Sequence, residues 1–236
     1  MLFRQLFDAE TCTYSYLLAD TQSKEAVLID SVYEQAERDS KLIQQLDLNL
    51  IYLLETHIHA DHITGSALLK AKFPLAKTVV SAAARVNCAD CLVQDGDSLR
   101  FGQYEIQVLA TPGHTNSCLS FYCEGKVFTG DALLIQGCGR TDFQEGDAGR
   151  LYDSVTQKLF SLSPDTMVYP GHNYIGLTVS SIAEEQKLNP RLAHKSRDEF
   201  IEFMHNLCLD YPKKIDIAVP ANLQCGQINK TKEAQI

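Results

Sequence analysis

The chain has no apolar run near the ~20 residues that a membrane-spanning helix needs, so a membrane-embedded role is set aside. It has no surplus of positive charge. Lys and Arg number 21 against 30 Asp and Glu, a net charge of −9. A general binder of phosphate backbones needs a dense basic surface, so no nucleic-acid partner is expected. A small cationic pocket for one anionic ligand is still compatible with that balance. Beside Cys88-Ala-Asp-Cys91 there is no second Cys-x-x-Cys, which excludes a zinc ribbon closed by four thiolates. There is no Gly-x-Ser-x-Gly and no cysteine with a local catalytic signature, which weighs against a serine or cysteine nucleophile. Low-complexity stretches, repeats of solenoid period and long linkers are absent. The opening Met1–Tyr16 is too short in apolar length and too soon acidic for an export signal. It is also not the Arg- and Ser-rich start of a transit peptide. The expectation is a cytoplasmic chain, or a matured organellar one in the mitochondrial matrix. Its eight cysteines are then expected as reduced thiols, since disulfide frameworks belong to short secreted chains.

What is there is the composition of an ordinary globular protein: 236 residues, 45% hydrophobic and 22% charged. Two periods alternate along it. Short β-rich runs fall at Tyr14–Leu18, Ala26–Ile29, Leu50–Leu54, Tyr104–Ala110, Cys118–Tyr122, Lys126–Thr129 and Thr166–Tyr169. Helical spacing falls at Glu34–Leu46, at Ala148–Leu159 after Asp147 as N-cap, and at Thr178–Leu188 before Asn189-Pro190. Ser196-Arg-Asp-Glu199 reads as a capping box opening a helix toward Leu207. Strands separated only by the turn Glu124-Gly125 do not suit a doubly wound parallel sheet, whereas mixed sheets with helices packed outside do. Asn229–Ile236 has no periodic apolar content and is expected to fray.

Four of the β-rich runs end in residues that bind metal: His57-Ile-His59-Ala-Asp61-His62, His114, Asp131 and His172. Five of the seven histidines lie in these places; the others are His194 and His205. Imidazole and carboxylate suit zinc, iron, nickel or manganese. The Pro-Gly pairs before His114 and His172 set sharp turns that can aim a ring inward from a strand end. One lone histidine would read as a satisfied polar residue, but this constellation reads as a metal centre. Its ligands could hold two metals bridged by Asp131, as in hydrolases, or one ion on two histidines and a carboxylate, as in non-heme Fe(II) oxygenases. The residue types leave both open.

Thr56-His57-Ile-His59-Ala-Asp61-His62 with His114, Asp131 and His172 resembles the metallo-β-lactamase superfamily over roughly residues 1–190. That resemblance implies an αββα sandwich, two mixed β-sheets flanked by helices, with a metal site at one sheet edge. Leu54–Gly65, Gly137-Cys-Gly-Arg-Thr-Asp-Phe-Gln144, Asn189-Pro-Arg191, and Ala218-Val-Pro-Ala-Asn222 with Cys225-Gly226 are similar to the persulfide dioxygenases, the ethylmalonic-encephalopathy protein group. Asn173 stands where that group often carries Asp. Residues 1–236 are then expected as one metallo-β-lactamase-like domain, with roughly 190–236 as a short C-terminal extension.

The resemblance implies one Fe(II) per chain on His57, His114 and Asp131, with His59, Asp61, His62 and His172 behind them, orienting ligands or waters. It implies oxidation of glutathione persulfide by O₂ and water to sulfite and glutathione, and it suggests a homodimer. Arg140 is the candidate for a glutathione carboxylate and Tyr174 for its peptide part. Cys225 reads as a small buried hydrophobe and Arg191 as half of an ion pair. The strong rival is a glyoxalase II-type hydrolase of glutathione thioesters with a dinuclear metal site, which shares the metal motif but usually has a longer helical C-terminal domain. A third reading is a metal-binding sulfur carrier or sensor without turnover, disfavoured because a purely structural site is closed by four ligands.

Overall fold

The computed structural model describes residues 1–228, so the expectation for 229–236 lies outside the described residues. The strands are β1 (Leu2–Asp8), β2 (Thr13–Ala19), β3 (Glu25–Ile29), β4 (Asn49–Leu54), β5 (Lys77–Ser81), β6 (Cys91–Val93), β7 (Ser98–Phe101), β8 (Tyr104–Ala110), β9 (Leu119–Cys123), β10 (Lys126–Gly130), β11 (Met167–Pro170) and β12 (Ser180–Ser181). The helices are α1 (Ala36–Gln45), α2 (Ser66–Lys72), α3 (Ala148–Asp153), α4 (Ile182–Leu188), α5 (Arg197–His205) and α6 (Ile215–Asn222). Two six-stranded sheets result, ordered β1-β2-β3-β4-β5-β6 and β12-β11-β10-β9-β8-β7. Both are mixed. In the first, β1 to β3 pair antiparallel and β3 to β6 parallel. In the second, β10 and β11 are the parallel pair.

The period-two alternation of β2 and β3 explains the layering. Tyr14, Tyr16 and Leu18 of β2 and Val27 and Ile29 of β3 face the second sheet, meeting Ile106, Val108, Phe121 and Phe128. Their neighbours Leu17, Ala19, Ala26 and Leu28 face the other way and are covered by Ala36 and Ile43 of α1 and Leu69 of α2. On the far side, Val127 and Val168 pack on Leu151, Ile182 and Phe200 of α3, α4 and α5. The chain is an αββα sandwich, as expected.

Local signals hold where they are chemical. Asp147 caps α3 by accepting from the Arg150 amide, and Ser196 with Glu199 forms the full capping box of α5. Asn189 closes α4 before Pro190. The Glu124-Gly125 turn joins β9 to β10 antiparallel. The helical stretch predicted over Thr178–Leu188 begins instead with β12, which pairs with β11 before α4 starts. The helix at Ala148–Leu159 narrows to α3 followed by a π turn at Ser154–Lys158 and a 3₁₀ turn at Leu159–Ser161.

The reduced-thiol expectation is corrected at one pair: Cys88 and Cys225 are disulfide-bonded. They are 137 residues apart, and it is the fold that seats the turn after α6 against the segment leading into β6. Cys225 is buried, as expected of it, while Cys12, Cys91, Cys118, Cys123, Cys138 and Cys208 are free.

Candidate metal centre

The four strand ends converge on one edge of the sandwich. β4 delivers Glu55 to His62, β8 leads through Pro112-Gly113 to His114, β10 ends at Asp131, and β11 ends before Gly171-His172. One ligand atom each from His57, His114 and Asp131 lies within 4.8 Å of the others. The rings of His57 and His114 stand at 83°, centroids 4.9 Å apart, and His114 Nε2 is 3.6 Å from Asp131 Oδ2.

Each of these three candidate ligands is oriented from behind, the arrangement metal-binding histidines require. His114 Nδ1–H donates to the Arg140 carbonyl at 2.6 Å, so its Nε2 lone pair faces the cluster. Thr56 gives its O–H to Asp30 Oδ2 at 2.8 Å, and therefore accepts from His57 Nδ1–H at 3.0 Å. That leaves His57 Nε2 free for an ion. Burial, with the neighbouring His59 and His114, holds the His57 imidazolium well below its ordinary range, so the ring is neutral and can ligate. Burial raises Asp131, but the charge and hydrogen bond of His172 outweigh it and keep the carboxylate ionised. Two imidazoles and one carboxylate whose donor atoms meet at a point fit a divalent transition-metal ion. Gly139 closes this geometry. A Cβ there would stand 2.7 Å from His114 Nδ1 and 2.6 Å from the Asp131 carbonyl, which accepts the Gly139 amide.

His172 is spent on carboxylates. Its Nδ1–H donates to Asp131 Oδ1 at 2.7 Å and its Nε2–H to Asp61 Oδ2 at 2.9 Å. Burial alone would lower its pKa, yet the two carboxylates hold it well above the ordinary histidine value. It is an imidazolium bridging Asp61 and Asp131. His62 Nδ1–H also donates to Asp61 Oδ2, at 2.8 Å. His59 Nε2–H donates to Asp30 Oδ1 at 3.1 Å, with Glu55 Oε2 at 3.5 Å. Burial opposes its charge, but Asp30 and Glu55 push its pKa up to about 10.

A family model for the metallo-beta-lactamase superfamily matches residues 12–88 and 92–172. The mitochondrial persulfide dioxygenase ETHE1 of Homo sapiens is 51% identical over 228 residues, covering 96% of this chain and 89% of that protein. This chain belongs to the metallo-β-lactamase superfamily, within its persulfide dioxygenase family. The solved structure of ETHE1 from Myxococcus xanthus superposes with a TM-score of 0.94 at 54% identity, covering 96% of this chain and all of that one. A hydroxyacylglutathione hydrolase of Brucella anthropi is more distant, 36% identical over 71% of this chain and 64% of that protein.

For a persulfide dioxygenase-family chain, the remaining candidates fall in two groups. Tyr174 is 71% exposed, and its ring lies parallel to that of His172 with centroids 6.0 Å apart. The Arg140 guanidinium is already occupied. It forks onto Asp142 at 2.6 and 2.7 Å, donates to the Asp210 carbonyl at 2.7 Å, and lies over the Phe143 ring at 4.7 Å. The ion pair expected for Arg191 is not formed among the described residues; its guanidinium donates to the Cys138 carbonyl at 2.7 Å. Asn189 Nδ2 donates to the Gly137 carbonyl at 3.0 Å. Asn189-Pro-Arg191 thus braces the Gly-Cys-Gly-Arg loop that orients His114. Asn173 Oδ1 accepts the amides of Ile175 and Leu177, shaping the loop that presents Tyr174.

Sequence reasoning missed Asp30, and it named Asn222 only as part of the C-terminal motif, without a role. Asp30 accepts from the Thr56 amide and hydroxyl and from His59, so one buried carboxylate anchors both histidines of the His-x-His pair. An acidic residue ending the apolar run Ala26–Ile29 was the available signal. No helix among the described residues is long and apolar enough to cross a membrane.

Proposed function

We propose that this enzyme oxidises glutathione persulfide with O₂ and water to sulfite and glutathione, using one Fe(II) held by His57, His114 and Asp131. The observation that carries the reading is family membership at 51% identity over 96% of the chain, joined to a ligand set of two histidines and one carboxylate. The balance is persulfide plus O₂ plus water giving thiol, sulfite and two protons. Iron supplies the redox chemistry with O₂, which zinc, with no accessible redox change, does not.

The chain's own part is to orient and to exclude. Thr56 and the Arg140 carbonyl fix the two ring orientations. His172 occupies Asp131 Oδ1, leaving Oδ2 for the ion. These three residues would hold the iron, which would supply redox chemistry toward substrate and O₂. His59, Asp61 and His62 stand behind the centre. Tyr174 meets the peptide part of glutathione. A glutathione carboxylate takes the place of Asp142 on the Arg140 fork, exchanging one bidentate partner for another.

The glyoxalase II-type reading keeps one specific observation. His59 Nδ1 and His62 Nε2 are buried without a hydrogen-bond partner among the described residues, and His59, Asp61 and His62 could hold an ion. Against a second ion, Asp61 Oδ2 is already shared by His62, His172 and Thr13. The experiment is metal analysis with oxygen uptake. About one iron per chain, O₂ consumption with glutathione persulfide and sulfite release support the dioxygenase. Two zinc ions per chain, no oxygen uptake and rapid cleavage of S-lactoylglutathione would overturn it.

On this reading the chain is one domain, and its short extension from about residue 190 packs, over the described residues to 228, on the metal-binding body. The family resemblance also suggests a homodimer, and the mitochondrial relatives favour the mitochondrial matrix over the cytoplasm. Sedimentation showing only monomer at micromolar concentration removes the dimer.

A further inference from the structure

The metal-binding turn is held by a residue far outside it. Asn222 ends α6 in the C-terminal extension and is 5% exposed. Its Nδ2 donates to two backbone carbonyls, those of His59 and His62, each at 2.9 Å, and its Oδ1 accepts the Thr64 amide at 2.8 Å. One side-chain amide therefore satisfies three backbone groups of a single turn, using both donors and its acceptor. The two carbonyls have no ladder or helix to pair with, since residues 55–63 lie between β4 and α2 in neither strand nor helix, and Thr64 makes only an isolated bridge to Val32.

The turn fixed in this way carries Asp61. Asp61 Oδ2 positions His172 Nε2, and His172 Nδ1 positions Asp131. A displacement of the 59–64 backbone is thus passed to a metal ligand through two hydrogen bonds. The seating of α6 is itself over-determined. Ala218 and Ala221 pack on Ile63, and the Cys88–Cys225 bond ties the following turn. Gly226, at φ +79°, lies so close to the turn that a Cβ would stand 2.4 Å from the Thr64 carbonyl.

We infer that Asn222 is a positioning residue of the persulfide dioxygenase reaction: its buried amide, delivered by the C-terminal helix, sets the backbone of the His-x-His-x-Asp-His turn and through it the metal centre. This rests on the proposed activity for its kinetic readout but not for its spectroscopic one. It also gives the C-terminal extension a part in the active site: the extension completes the centre without supplying a ligand.

The test uses the full-length, iron-loaded protein and three variants: Asn222→Ala, Asn222→Ser as a milder truncation should the first fail to fold, and Cys88→Ser. The last removes the covalent tether of the same segment while leaving the amide in place. Each is compared with wild type at equal iron content by oxygen uptake, by the electron paramagnetic resonance spectrum of the ferrous protein with nitric oxide, and by the rate of iron loss to a chelator. The Asn222 variants should lose about ten- to a hundredfold in kcat, the scale seen when partners behind metal ligands are removed. KM should stay within about threefold of wild type, because the amide does not touch substrate. Their nitrosyl spectrum should change and iron should leave faster. Cys88→Ser should lower thermal stability and leave kcat and spectrum as in wild type. Asn222 variants with wild-type kcat and spectrum overturn the inference. So does a Cys88→Ser variant that loses activity and changes spectrum to the same degree, since the effect would then belong to helix seating in general. Inert wild-type protein would instead refute the proposed activity, and the spectra and iron-loss rates would still decide the role of Asn222.

Discussion

Replacing His172 by alanine separates the mononuclear from the dinuclear reading, because the structure gives that side chain a defined electrostatic task. The imidazolium lies 2.7 Å from Asp131 Oδ1 and 2.9 Å from Asp61 Oδ2, and it is buried. Deleting it leaves two partly buried carboxylates, Asp61 33% and Asp131 14% exposed, without their shared cation. Breaking a buried pair by removing one partner costs about 3–5 kcal/mol. In a chain of this size each kcal/mol moves the melting temperature by about 2–4 °C, so the metal-free variant should melt roughly 6–20 °C lower than metal-free wild type. With iron bound the loss should be smaller, since the ion itself neutralises Asp131. Iron should stay near one per chain, because His57, His114 and Asp131 remain, while kcat falls about ten- to a hundredfold as Asp131 loses the partner that fixes it. The assay is paired calorimetry of metal-free and iron-loaded protein, with metal analysis and oxygen uptake on the same samples. If His172→Ala instead strips one of two metals and abolishes turnover, His172 is a ligand and the mononuclear assignment is wrong.

Gly139→Ala places a methyl group 2.7 Å from His114 Nδ1 and 2.6 Å from the Asp131 carbonyl, well inside contact distance for both. Iron affinity should fall about ten- to a hundredfold, measured by competition with a chelator; wild-type affinity would show that the loop yields freely. Arg140→Ala should raise KM for glutathione persulfide by about ten- to a hundredfold, the effect of one lost charge-assisted contact, with iron retained, since the Arg140 carbonyl still holds His114. An unchanged KM would leave the guanidinium as the partner of Asp142 alone. His59, raised from 6.5 to about 10, contributes stability that is complete below pH 6.5 and is lost as pH rises through about 10. The melting temperature of the metal-free protein should therefore fall between pH 7 and 10, and that fall should shrink in His59→Gln; an equal fall in both would remove His59 as its cause.

Much of this protein was legible in one dimension because the signals are local. The capping box at Ser196 and Glu199, the Asp147 cap and the Glu124-Gly125 turn are short-range chemistry, and each formed where it was expected. The strands of the metal site were legible for the same reason. A period-two run that stops at Pro-Gly-His announces both a strand and a ring turned inward, and such runs delivered His114 and His172. Strand β1 was not legible, because its apolar residues do not alternate and its pairing to β2 sustains it. Nor was α6. Ile215, Ile217 and Val219 are β-branched and Pro220 sits inside the helix, so propensity argues against it. Burial of Ile215, Ala218 and Ala221 makes the helix form all the same. The sequence by itself determined the candidate ligand types, their order and the strand ends that carry them. The tertiary structure alone decided how each is used: that His172 bridges two carboxylates, that Arg140 is held by Asp142, that Cys88 meets Cys225, and that Asn222 reaches the metal turn. Those are pairings between residues distant in the chain, and no local propensity encodes a contact whose partner is brought up only by packing the two sheets and their helices together.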